Sequence, residues 1–96
     1  MKLEIYNVVL KKKLQDRLTT IPKHIVAKLT AWISAVSHDG LSEVRKIPGF
    51  HDEPLKGDRK GQRSIRLSKS YRAIYIIAQS GKMEVVEIIE VNKHDY

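Results

Sequence analysis

The sequence predicts an α+β fold in the order β-α-α-β-β-β, with two early helices lying on one face of a twisted, mostly antiparallel sheet. Three observations carry this prediction. Apolar residues recur at helical spacing in the stretch before Gly40, β-rich runs follow one another from Ser64 onward, and the densest Pro and Gly punctuation of the chain lies between the two. At 96 residues the chain has material for one modest core, so a single domain over residues 1–96 is expected.

Leu3 to Tyr6 is short, apolar and aromatic enough for a first strand. Val9, Leu10, Leu14 and Leu18 then fall near helical spacing, and Lys11, Lys12, Lys13 and Arg17 lie mostly off that stripe as a solvated face. Thr20-Ile21-Pro22 is a start signal for a second helix, because Pro is well tolerated in a first turn where its missing N–H would have no partner. Ile25, Leu29, Trp32, Ile33 and Val36 mark the buried face of that helix, with Trp32 in the core, and Gly40 is its stop. Ile47 to Gly61 holds Pro48, Gly49, Pro54, Gly57 and Gly61, and reads as a loop with room for one short strand. Three strands follow at Ser64 to Leu67, Tyr71 to Ala78 and Met83 to Val91, the last two joined through Gln79-Ser80-Gly81-Lys82 as a hairpin.

Composition removes several classes of function. Without cysteine there is no disulfide, thiolate nucleophile or Cys-type metal centre, which fits a reducing compartment and points to the cytoplasm. The charged start Met1-Lys2-Leu3-Glu4 is not followed by an apolar run, so neither a signal peptide nor a membrane span is expected. A formal net charge of +7 calls for an anionic partner.

The placement of that charge is informative. Lys56, Arg59, Lys60, Arg63, Arg66, Lys69 and Arg72 face a single acid, Asp58, so the segment carries +6 of the chain's +7. Strand alternation assigns Ile65 and Leu67 to the core and sends Ser64 and Arg66 to the other face, where Arg72 opens the next strand beside them. Arginine suits phosphodiester, since its planar fork holds two phosphate oxygens at once. Downstream, His94 and Tyr96 come directly after a strong strand, and a neutral His in cationic surroundings can take or give a proton. His24 and His38, at the ends of the second helix, read as exposed or capping. His51-Asp52-Glu53 lacks a further ligand at metal spacing, so no metal site is expected, and Glu53 is read as an acid at the rim of a basic groove. Gly57-Asp58-Arg59-Lys60-Gly61 lacks the spacing of a nucleotide-phosphate loop, and Ser64 has no nucleophile motif around it.

Pro54-Leu55-Lys56-Gly57-Asp58-Arg59-Lys60-Gly61-Gln62-Arg63-Ser64-Ile65-Arg66-Leu67, then Tyr71-Arg72-Ala73-Ile74-Tyr75 and the closing Lys93-His94-Asp95-Tyr96, resemble the RelE superfamily of bacterial toxins, in its HigB-like variety. The resemblance implies a ribosome-dependent endoribonuclease that enters the A site beside 16S rRNA, cleaves the exposed mRNA codon without a metal or small-molecule cofactor, and is silenced by a cognate antitoxin. It further implies that Lys56, Arg66 and Arg72 neutralise the scissile phosphate, that His94 is the acid–base residue, and that Tyr96 stacks on a base or assists proton transfer. Arg59, Lys60, Arg63, Lys69 and Lys93 would bind RNA around that centre. Two positions depart from the pattern. Glu53 stands where HigB-type toxins place a histidine, and Ser64 stands where many RelE-like members place Arg or Lys, although HigB-type sequences also have Ser, leaving Arg63 or Lys60 to supply the charge. The same superfamily holds ParE-like gyrase poisons, so a non-catalytic toxin or a plain RNA-binding module is the alternative, against which His94 and Tyr96 argue.

Overall fold

The computed structural model describes residues 3–93. In chain order its elements are strand β1 (Val8–Leu10), helices α1 (Lys12–Arg17), α2 (Lys23–Asp39) and α3 (Leu41–Val44), and strands β2 (Glu53–Pro54), β3 (Arg63–Arg66), β4 (Tyr71–Ser80) and β5 (Met83–Lys93). The strands form one sheet in the order β1-β5-β4-β3-β2, antiparallel throughout except where β1 runs parallel to β5. The expected α+β class, the helix-then-strand order and the short strand inside the punctuated loop are all present.

Two expectations at the N-terminal end are corrected. The first strand is Val8–Leu10 rather than Leu3 to Tyr6, and Val9 and Leu10 belong to it rather than to a helix. Its neighbour decides this. Ladder bonds from Val86 N to Asn7 O and from Lys11 N to Ile88 O fasten this stretch along β5, a tertiary pairing that overrides local periodicity. Ile5 instead buries its side chain in the core while its carbonyl accepts the Leu41 amide, so the preceding residues lean on the helices.

α2 begins after Pro22 and stops at Gly40, as its signals indicate, with Ile25, Leu29, Trp32 and Val36 buried and Ile33 only partly so. Gly40 is required twice over. Its φ of 89° lies in the left-handed region, and a Cβ there would collide with the Glu4 side chain, which accepts hydrogen bonds from Ser42. The apolar stripe of α2 packs on one face of the sheet, where Trp32 meets Tyr75 at 5.1 Å between ring centroids among Ile65, Ala73, Val86, Ile88 and Val91.

A bulge interrupts β5. Ile74 pairs with Glu90 and Tyr75 with Ile88, leaving Ile89 as the extra residue. This resets the alternation: Val86 and Ile88 face the helices before the bulge and Val91 does so after it, which brings Glu90 and Asn92 to the opposite face, away from the helices.

A candidate active site on the open sheet face

Two rows of cross-strand neighbours build the face away from the helices. Glu53, Ser64, Ile74 and Glu90 form one row across β2, β3, β4 and β5, and Arg66, Arg72 and Asn92 form the next. Together with Leu55 and Arg59 from the loop after β2, residues of these rows enclose a concavity of about 370 Å³ lined by Glu53, Leu55, Arg59, Ser64, Arg72, Ile74 and Asn92. Its floor is formed by buried side chains, Ser64 at only 1% exposure and Ile74.

Arg72 organises the polar groups. Its Nη1 donates to Ser64 Oγ at 2.9 Å and to Glu53 Oε1 at 3.2 Å, and the other Glu53 oxygen lies 3.4 Å from His51 Nε2. Ser64 is therefore the buried acceptor that orients the arginine. Across the concavity Arg59 donates to Gln62 Oε1 at 2.9 Å and pairs with Glu90. The hydrogen bond from Arg59 holds the Glu90 carboxyl below the usual range, against a smaller opposing effect of burial, and Asn92 assists.

The structure brings together only part of the expected constellation. Arg72, Arg66, Glu53 and Arg59 share the open face or its rim. Lys56 and Lys60 are exposed on the loop that flanks Arg59, and Lys69 is exposed in the β3–β4 turn, which Ser68 Oγ holds by accepting the amides of Ser70 and Tyr71. Arg63 and Lys93 are elsewhere. Lys93 pairs in register with Tyr71, on the helix side. Arg63 also points to the helix side, where its Nε donates to Asp52 Oδ1 at 2.6 Å, so it does not supply the charge missing at Ser64. His94 and Tyr96 lie outside the described residues. His24 and His38 are exposed on α2, and His51, Asp52 and Glu53 do not converge because Asp52 turns to the opposite face from Glu53.

Sequence reasoning missed Asn92, Glu90, Leu55 and Ile74, and it took the cationic segment as nearly free of acids. In space Glu53 and Glu90 interleave with Arg72 and Arg59. The one available signal was the run Ile88-Ile89-Glu90-Val91, whose paired isoleucines break strict alternation and mark the bulge.

Beneath the sheet lies a second polar group. Asp52 Oδ2 accepts from the Tyr75 hydroxyl at 2.6 Å, and Arg45 Nε donates to the same phenol oxygen at 3.3 Å. Burial, followed by the hydrogen bond to Asp52, pushes the Tyr75 phenol up to about 12. For Arg63 burial works to lower the guanidinium, and the hydrogen bond and charge of Asp52 together with Tyr75 overcome it, so the net shift is upward.

No family model and no curated protein sequence matches the chain. Solved structures do. An archaeal RelE–RelB complex from Pyrococcus horikoshii OT3 superposes with a TM-score of 0.67 at 22% identity, over 92% of this chain and 93% of the other. A YoeB/ParE toxin from Agrobacterium tumefaciens gives 0.61 at 22% identity over 93% and 99%, and YafQ from E. coli gives 0.65 at 12% identity over 91% of each chain. The chain has the RelE/ParE toxin fold. The helices cover one sheet face among the described residues, and the Arg72 concavity lies on the other. Among the described residues, no helix is long and apolar enough to cross a membrane.

Proposed function

We propose that this chain is the toxin of a type II toxin–antitoxin pair, a cytoplasmic endoribonuclease of the HigB-like variety that cleaves mRNA in the ribosomal A site. The observation that carries the reading is Arg72, oriented by buried Ser64 and half-exposed Glu53 in an open concavity with Arg66 as its cross-strand neighbour. A phosphodiester entering there takes over from Glu53 as a partner of the guanidinium, and the released carboxylate is then beside the substrate. The 2′-oxygen attacks phosphorus as its proton passes to a base, either Glu53 or His94. The bond from phosphorus to the 5′-oxygen breaks and that oxygen takes a proton from His94, giving a 2′,3′-cyclic phosphate, or a 3′-phosphate once water opens it, and a 5′-hydroxyl end. Arg72, Arg66 and Lys56 stabilise charge growing on the phosphorane, Arg59, Lys60 and Lys69 bind the flanking strand and 16S rRNA, and Tyr96 stacks on a base.

The net charge of +7 gives a cognate antitoxin a cationic surface to cover with an acidic or amphipathic segment, and two similar structures are complexes, RelE–RelB and YoeB–YefM. The deciding experiment adds the purified chain to programmed ribosomes and maps the message by primer extension, with end-group analysis for the cyclic phosphate. Cuts within the A-site codon are expected. Intact message together with inhibited DNA gyrase would instead assign the chain to the ParE-like alternative.

A further inference from the structure

We propose that Asp52 is a positioning residue for the open-face site: by gripping Arg63 and Tyr75 beneath the sheet, it fixes the edge strand that holds Glu53 against Arg72 above it. This rests on the reading of Glu53 and Arg72 as parts of a ribonuclease centre.

The problem Asp52 solves is visible in β2. The strand is two residues long, lies at the edge of the sheet, and contains Pro54, which has no N–H to give to a ladder. So short an edge does not by itself hold a side chain at 3.2 Å from Arg72. The residue before Asp52 adds to the difficulty. His51 has φ 48°, a left-handed backbone that a residue with a Cβ keeps only where its surroundings impose it.

Asp52 supplies that constraint through both carboxylate oxygens. Oδ1 accepts from Arg63 on β3, and Oδ2 accepts from Tyr75 on β4. Tyr75 in turn packs its ring at a tilt against Trp32 of α2 and accepts from Arg45, which follows α3. One fully buried side chain thus ties the loop directly to β3 and β4 and, through Tyr75, to α2 and the end of α3. Asp52 and Glu53 are consecutive and leave the backbone on opposite faces, so fixing one fixes the direction of the other. The Asp52 carboxylate itself stays on the far side of the sheet from the concavity and touches no substrate.

Asp52→Asn keeps the shape and removes the charge. Cleavage of ribosome-bound message is expected to fall about tenfold in turnover with half-saturation unchanged, as for a displaced catalytic group, where a 1 Å error costs up to about 10². A positioning role makes one demand that a general packing role does not: in a Glu53→Gln background, Asp52→Asn should cost nothing further. The Arg72 Nε–H resonance, followed by NMR in the full chain, should move in Asp52→Asn toward its position in Glu53→Gln. If Asp52→Asn prevents folding, Tyr75→Phe, which removes one of the two hydrogen bonds, takes its place in both measurements. Effects of Asp52→Asn and Glu53→Gln that multiply, or an Arg72 resonance unmoved by Asp52→Asn, overturn the proposal. A chain that cuts no RNA refutes the ribonuclease reading, and the Arg72 resonance then decides positioning by itself.

Discussion

Asp52–Arg63 and Glu53–Arg72 are made of the same chemistry by neighbouring residues, one pair beneath the sheet and one above it. In the lower pair the aspartate side chain is 0% exposed, the arginine is 25% exposed, and they meet at 2.6 Å; in the upper pair the glutamate is 46% exposed, the arginine 21%, and the distance is 3.2 Å. A sealed carboxylate loses its water and is tolerable only with its oxygens satisfied, as they are by Arg63 and Tyr75, so removing a partner is costly. An open pair in contact with solvent contributes about 0–1 kcal/mol, so its partners exchange readily. The lower pair therefore suits fixing the backbone, and the upper suits release of an arginine to an incoming phosphate.

The difference can be broken first from below. Trp32→Ala, in the packed face under Tyr75, should cost about 3–5 kcal/mol in urea or guanidinium unfolding, as loss of a buried indole does. A cost below about 1 kcal/mol would show that this face does not carry the fold. From above, Arg72→Ala should reduce cleavage of ribosome-bound message roughly 10²–10³-fold, the loss expected of a preorganised charge stabiliser. Its unfolding free energy should fall by about 1–3 kcal/mol, the cost of leaving the buried Ser64 hydroxyl without its donor, while the fold is kept. An unfolded Arg72→Ala protein, or one cleaving at full rate, would erase the distinction between the two faces.

Alkaline pH sharpens the comparison. The Tyr75 phenol is raised from 10.0 to about 12, so the folded state keeps its proton where the unfolded chain gives it up. The stabilisation is complete below pH 10 and is lost as pH climbs through about 12, up to about 2–3 kcal/mol at 1.36 kcal/mol per unit. Wild type should therefore lose more stability than Tyr75→Phe between pH 10 and 12, and parallel curves would place the phenol outside the sealed group. The smallest effect expected is that of a single rim cation. Lys56→Ala should weaken ribosome binding modestly and lower the slope of log affinity against log salt by about 0.7–1, one phosphate contact fewer. An unaltered slope would remove Lys56 from the RNA-binding surface.

How much of this was legible in the sequence follows from which interactions are local. α2 was readable end to end, because Pro22, the Ile25-Leu29-Trp32-Val36 spacing and Gly40 each act within a turn or two of themselves. The β4–β5 hairpin was equally plain, although its turn proved tighter, centred on Gly81-Lys82. Arg66 and Arg72 were correctly set side by side, since alternation and a short turn suffice to align them. Hidden were the features set by distant partners: β1, whose span depends on β5, and Asn92 and Glu90, whose face depends on one inserted residue. Arg63 was misjudged for a similar reason. Its parity with Ile65 already assigned it to the helix side, but only the buried Asp52 makes a charge acceptable there.

The parallel pairing of Val8 with Val86 has a kinetic consequence. Strands β3, β4 and β5 follow one another through short turns and can pair as soon as they meet, whereas β1 reaches its place beside β5 only after nearly the whole intervening chain has been gathered in. Ordering by loop-closure entropy makes the meander the nucleus and the N-terminal strand a late arrival, on a chain whose most distant contacts slow its rate. Because Arg66, Arg72 and Asn92 all belong to that meander, the framework of the concavity forms early, before the outer strand closes the sheet. Conservative truncations at Val8 should then accelerate unfolding and leave the folding rate nearly untouched, while those at Ile65 or Ile88 should slow folding; the reverse pattern would put β1 in the nucleus.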